Sequence, residues 1–149
     1  MKTILLLAFA VLVSSTPVEN NDKKLLGELI DELFREVKRF SNNTKEIFLA
    51  ELKMNGCKGE FFCQAEHELK EKVSGLSGAK FEHFRTDKKL MRNLKEYNKH
   101  HMKTCEPADE DHGPILLPDF LKNLIKCFKT AFSQVMLMYE GTFFFFLFF

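Results

Sequence analysis

The chain has 149 residues, with 22 lysines and arginines against 21 aspartates and glutamates and a formal net charge of +1 at pH 7. A balance this close to neutral excludes the broad positive field by which nucleic-acid binders and binders of anionic membranes draw in their partners, so function must lie in local charge. Hydrophobic residues make up 45% of the chain, enough to fill one core.

The N-terminus carries Lys2, an apolar run from Ile4 to Val13, and then Ser14, Ser15 and Thr16 before Pro17. That is the layout of a secretory signal peptide over 1–15, with Val13 and Ser15 suited to the minus-three and minus-one cleavage positions. The run is about half of the roughly 20 residues needed to cross a bilayer, so no membrane insertion is expected. Residues 16–140 then read as one helical domain. The aromatic run Phe143 to Phe149 reads as a tail over 141–149, disordered or an artefact of the gene model, and no function is assigned to it.

In the first helix Leu25, Leu26, Leu29, Ile30, Leu33, Phe34, Val37 and Phe40 recur at three- and four-residue steps, with Glu28, Asp31, Glu32, Arg35 and Lys38 opposite them. Asp22 suits the N-cap. The cluster Ser41-Asn42-Asn43-Thr44 ends this helix, and Asn42 is a glycosylation acceptor. A second helix is predicted over 59–73, with Phe62, Ala65, Leu69 and Val73 inward and Glu60, Glu66 and Lys70 outward. Ser74 to Gly78 stops it. A third is predicted over 79–102, using Phe81, Phe84, Leu90, Met91, Leu94 and Tyr97, and a fourth begins near Pro118, which tolerates the first helical turn. Phe120, Leu121, Leu124, Ile125, Phe128, Phe132, Val135 and Met136 form the apolar stripe of the fourth. Alternation fit for a strand is confined to Glu46 to Leu52.

Connection lengths constrain the topology. Five or six residues between the second and third helices are too few to run back along a helix, so those two must be antiparallel neighbours. Residues 41–58 and 103–117 are long enough to cross a bundle. The expected fold is therefore all-α, a short-chain four-helix bundle whose two crossovers permit an up-up-down-down order.

Four cysteines, Cys57, Cys63, Cys105 and Cys127, lie beyond the leader, and an even count in an exported chain implies disulfides with three pairings open. Cys57, Cys63 and His67 lack the close pairs of a structural zinc site, so no metal is expected. Catalytic motifs are missing too. His67-Glu68 has no second histidine at the zinc-protease spacing, His100 and His101 point in different directions on a helix, and no nucleophile elbow, P-loop or dinucleotide fingerprint occurs. The sequence therefore reads as that of a binding protein with no cofactor, not an enzyme.

Glu28-Leu29-Ile30-Asp31-Glu32-Leu33, the Phe62-Cys63-Gln64-Ala65 element, Phe84 to Leu94 with its Lys-x-Leu-Met-Arg-x-Leu-Lys core, and Phe120-Leu121-Lys122-Asn123-Leu124 follow one another in that order. In these pieces, which span nearly the whole domain, the chain resembles the interleukin-4/interleukin-13 family of short-chain helical cytokines. The resemblance implies a secreted monomer that brings together the ectodomains of a heteromeric type I cytokine receptor in immune signalling. It places Glu28 where the family has a first-helix glutamate central to one receptor chain, and Lys99 where the family uses a third-helix arginine. A lysine there keeps the charge and loses the bidentate fork. Arg92 and Lys95 belong to the same expected contact. Ile30, Lys129 and Phe132 fall on positions that face the second receptor chain, Phe132 standing in place of a tyrosine. The resemblance further implies a Cys63–Cys105 bridge, which leaves Cys57 to pair with Cys127, an arrangement the family's mammalian members do not suggest.

Two readings of the residues stand beside this one. Arg85, Lys88, Lys89, Arg92, Lys95 and Lys99 set a basic strip along the third helix, next to which the acidic Glu28, Asp31 and Glu32 could lie. Such a mixed patch favours steered docking onto a charged partner, and a glycosaminoglycan contact is the strip's other use. The methionines and phenylalanines read as core, with a secreted helical lipid-binding protein or an interleukin-5-like cytokine as the competing classes.

Overall fold

In the computed structural model the described residues are 22–40, 47–54, 56–101, 105–106, 108 and 113–148, with side chains described as far as 136. The expected leader and the glycosylation acceptor Asn42 lie outside them. Helix α1 covers 22–40. Strand β1 is Phe48–Ala50 and helix α2 is Gly59–Lys72. A 3-10 turn, Ala79–Phe84, precedes helix α3, Lys89–His101. Strand β2 is Pro114–Leu116, and helix α4 runs Leu117–Phe148. The described residues are thus mostly helical, with one small sheet.

On α1, Leu26, Leu29, Leu33 and Phe40 are buried at the three- and four-residue steps that put one stripe inward. Phe34 breaks the expectation. At 100° per residue it turns well away from Leu33 toward the next flank, and it is 40% exposed. On α2 the inward stripe is Phe61, Phe62, Ala65 and Leu69. The helix closes where the N–H groups of Val73 and Ser74 both donate to the Leu69 carbonyl, each at 2.9 Å. The Ser74 hydroxyl donates to the Phe84 carbonyl at 2.5 Å, which ties the end of α2 to the 3-10 turn.

The long third helix expected over 79–102 is two elements. Phe81 and Phe84 are buried three residues apart, the period of a 3-10 turn. Residues 85–89 then supply no apolar side chain, so the inward stripe misses a turn and the backbone breaks at an extended Arg85. Leu90, Met91, Leu94 and Tyr97 restart it as α3.

Strand β1 lies within the stretch that alternates, and its antiparallel partner β2 lies in the other long connection, with Phe48 opposite Leu116 and Ala50 opposite Pro114. The pairing continues from the strand ends, with Glu51 N–H on the Gly113 carbonyl at 3.1 Å and Leu117 N–H on the Ile47 carbonyl at 2.8 Å. Glu68 of α2, 4% exposed, pins this sheet by accepting from the Ala50 N–H at 3.1 Å.

Contacts fix the helix directions. Asp22 meets His101, Glu28 meets Asn93 and Glu32 meets Lys89, so α1 and α3 are antiparallel. Asn98 Nδ2 donates to the Phe62 carbonyl, while Ser74 meets Phe84, so α2 and α3 are antiparallel as well. Helix α4 starts beside β1 and by Cys127 and Phe128 has reached Cys57 and Phe62, which makes it antiparallel to α2.

The core centres on Phe62, stacked on Phe128 at 4.5 Å and met edge-on by Phe61 and Tyr97. Such pairs add roughly 1 kcal/mol each beyond the area they bury. A second aromatic group, Phe40 with Phe81 and Phe84, seals the end of α1 against the 3-10 turn. Disulfides Cys57–Cys127 and Cys63–Cys105 flank the first group. The backbone of α4 continues through the aromatic tail to Phe148, and among the described residues no helix is long and apolar enough to cross a membrane.

Candidate functional site

Helix α1 has neighbours on both flanks, and the sequence-derived site residues divide between them. Glu28 and Ile30 are two residues apart, a rotation of about 200°, so they address opposite sides of the helix.

On the α3 flank a row of polar contacts closes the seam. His101 Nε2 lies 3.2 Å from Asp22, Asn93 Nδ2 donates to Glu28 Oε2 at 3.2 Å, and Lys89 Nζ lies 3.9 Å from Glu32. The first pair joins a carboxylate at the start of α1, where the helix dipole favours an anion, to a histidine at the end of α3. Glu28 is half-buried, and with Asp22, Lys24, Leu25, Glu96 and His100 it lines a depression of about 210 Å³. His100 and Glu96 in turn pair at 3.1 Å.

Lys99 is exposed, as are Arg92 and Lys95. At helical spacing Lys88, Arg92, Lys95 and Lys99 form an outward row, next to the row of Lys89, Asn93, Glu96 and His100 that meets α1. The residue brought directly against Glu28 is therefore Asn93, with Glu96 and His100 lining the same depression, and Lys99 stands one row further round α3. Asn93 carries no sequence signal beyond its place in that row.

On the α4 flank Lys129 Nζ sits 4.7 Å from the centroid of the exposed Phe34 ring, a cation–π contact. Ile30 and Phe132 are partly buried and pack against the core, as does Val135. This flank thus presents an aromatic face capped by an ammonium group, with aliphatic side chains around it. Phe34 belongs to it, although periodicity alone assigns that residue to the core.

Three buried polar side chains went unmarked in the sequence. Glu68 holds the sheet, as described. Asn98, 4% exposed, donates to the Phe62 carbonyl at 3.0 Å and to Glu66 Oε1 at 2.8 Å. Glu36 is 1% exposed, with Arg39 at 3.7 Å and His83 at 3.9 Å on Oε1 and no hydrogen bond to Oε2. Burial pushes the Glu36 carboxyl above the usual carboxylate range, against the pull of Arg39 and His83. The signal was legible: positions 26, 29, 33, 36 and 40 keep strict three-four spacing, and only 36 is charged.

Tyr97 is stacked on His101 at 4.3 Å, and burial, aided by the Asp22 carboxylate, pushes its hydroxyl up to about 12. It therefore stays neutral at physiological pH and serves the core. No family model, curated protein or solved structure matches this chain.

Proposed function

We propose that the protein is a secreted helical cytokine of the interleukin-4/interleukin-13 kind, acting without catalysis by bringing two receptor chains together. The observation that carries this reading is the division of α1 between two different surfaces. One is polar, around Glu28 and the exposed Arg92, Lys95 and Lys99 of α3. The other is aromatic and aliphatic, around Phe34, Lys129, Ile30 and Phe132. A molecule with two unlike docking faces on one rigid helix is suited to holding two unlike receptor ectodomains at a fixed spacing.

Two further features support it. The helix directions, α1 and α2 one way and α3 and α4 the other, fit an up-up-down-down bundle in which the long connections lie side by side and pair as β1 and β2. The Cys63–Cys105 bridge favours this family over other short-chain cytokines, for which a Cys57–Cys63 bridge would have argued. Both disulfides suit an oxidising, extracellular setting.

The test is a binding screen of the oxidised protein against type I cytokine receptor ectodomains, followed by charge reversal. Lys99→Glu should weaken the contact on the polar face by at least about 2 kcal/mol if the pair is desolvated, and leave the contact on the Phe34 face unchanged. An unaltered dissociation constant for every ectodomain bound would remove the polar face from the proposal.

A further inference from the structure

The second half of α1 and the segment from His83 to Leu90 enclose a groove of about 350 Å³ that the receptor reading leaves unused. Its lining is charged almost throughout: Arg35, Arg39, Lys88 and Lys89 stand with His83 around Glu32 and Glu36. The two signs are segregated by depth. The side chains of Glu32 and Glu36 are 12% and 1% exposed and form the floor, whereas the four cations are exposed at the rim.

The floor carboxylates aim the rim. Arg35 lies 3.5 Å and Lys89 3.9 Å from Glu32, and Arg39 lies 3.7 Å from Glu36. Each guanidinium meets its carboxylate through one nitrogen, which leaves outward N–H donors in the fork that suits a planar or tetrahedral anion. Lys88 also lies 3.7 Å from the exposed Glu82, so four cations stand against three carboxylates, and the surplus of positive charge faces solvent. Lys88 then begins the outward row that continues through Arg92 and Lys95 to Lys99, a cationic track of about 16 Å on one helix face.

We propose that this groove holds sulfate groups of a linear sulfated polysaccharide, whose chain continues along the outward row of α3. The other polyanions fit less well. Single-stranded nucleic acid asks for exposed aromatic rings to stack on, and the only apolar lining residue, Leu90, is buried. Duplex binders carry a strongly basic net charge, whereas this chain is at +1. Membrane-surface binding asks for apolar side chains that enter the lipid beside the cations, and the rim has none. The two disulfides fit the compartment in which sulfated polysaccharides abound.

The groove is independent of the receptor reading, because Arg35 and Lys88 lie outside the contacts proposed there, whereas Arg92, Lys95 and Lys99 are shared with the proposed polar face. The full oxidised chain is titrated against a heparin dodecasaccharide, its desulfated counterpart, a single-stranded oligonucleotide of matched charge, and phosphatidylserine vesicles. Heparin should bind with an affinity that falls steeply with salt, and the desulfated chain should not bind. R35Q/K88Q should weaken heparin binding at least roughly tenfold and flatten the salt slope by about 2. Both side chains are exposed, and Glu32 keeps Lys89, so this variant retains its fold. K122Q/K126Q, an equal charge loss at exposed positions of α4, should bind as the parent does. The proposal is overturned if heparin does not bind, if R35Q/K88Q binds unchanged, if K122Q/K126Q weakens binding as much, or if the oligonucleotide or the vesicles bind as tightly as heparin.

Discussion

Glu36 occupies the one position of the inward α1 stripe that apolar spacing leaves to a charge, and it is buried there with half of its carboxylate unpartnered. Burial raises its proton affinity above that of the unfolded chain, while Arg39 and His83 pull the other way and Glu32 adds to the rise. A carboxyl whose folded-state value is raised contributes stability that is complete below the ordinary value of 4.5 and is lost as pH climbs through the folded one. Once ionised, the group is thus a net cost. Glu36→Gln keeps the volume and abolishes the titration, and because Arg39 and His83 reach solvent their loss of a partner is cheap. Urea midpoints should show Glu36→Gln at least as stable as the parent at pH 7, with its advantage shrinking as pH falls toward 4.5. An advantage that grows on acidification would mean that the pairing with Arg39 and His83 outweighs burial.

At the scale of elements, what was legible followed from periodicity and from chain breakers. Helix α2 was expected over 59–73 and is Gly59–Lys72 because its apolar stripe is unbroken and Ser74 to Gly78 cannot continue it. The division of the third helix was missed, since Phe81 and Phe84 satisfy helical and 3-10 spacing alike and only the apolar gap over 85–89 tells them apart. Strand β2 was missed because three residues carry too little alternation to read, and its pairing is set by where the two crossovers meet. The candidate faces followed the same pattern: helix spacing put Glu28 and Ile30 on opposite flanks, but that Asn93 rather than Lys99 meets Glu28 depends on how α3 is rotated in the packed molecule. Nor could the loop 74–78 say which glycine is needed. Gly78 stands at φ +120, a backbone region essentially closed to other residues, and a Cβ there would meet Phe81 at an ordinary 3.8 Å. Its cost is therefore purely conformational. Gly78→Ala should lose about 1–3 kcal/mol in denaturant unfolding, whereas Gly75→Ala, facing open space, should stay within about 0.5 kcal/mol. Equal losses at both sites would refute the backbone argument.

For the whole molecule, the cross-links and the aromatic core act on the same junction. Cys63–Cys105 ties the second turn of α2 to the chain that leaves α3, and Cys57–Cys127 ties the approach to α2 to the first third of α4, so Phe62, Phe128 and Tyr97 are held between them. Sequence separations of 42 and 70 give, on the chain-entropy account, about 4 kcal/mol for each bridge, since closure entropy grows only with the logarithm of loop length. The bridges should therefore differ through packing more than through loop size. Cys127 is fully buried among the core side chains, whereas Cys63 and Cys105 are half-buried. Replacing Cys57 and Cys127 with alanine removes the constraint and also a buried sulfur, so it should cost about 1 kcal/mol more than the same change at Cys63 and Cys105. Against a total stability of about 5–15 kcal/mol either loss is large, and thermal unfolding followed by far-ultraviolet circular dichroism should show Tm falling by roughly 10–15 °C, further for the Cys57 and Cys127 pair. The two faces of α1 proposed for docking keep their spacing only while α3 and α4 stay packed on it, so any receptor binding found in the proposed screen should decline over the same temperature range as the circular dichroism signal. If the Cys57 and Cys127 variant melts at the parent temperature, the core alone holds the four helices and the bridges serve some other end.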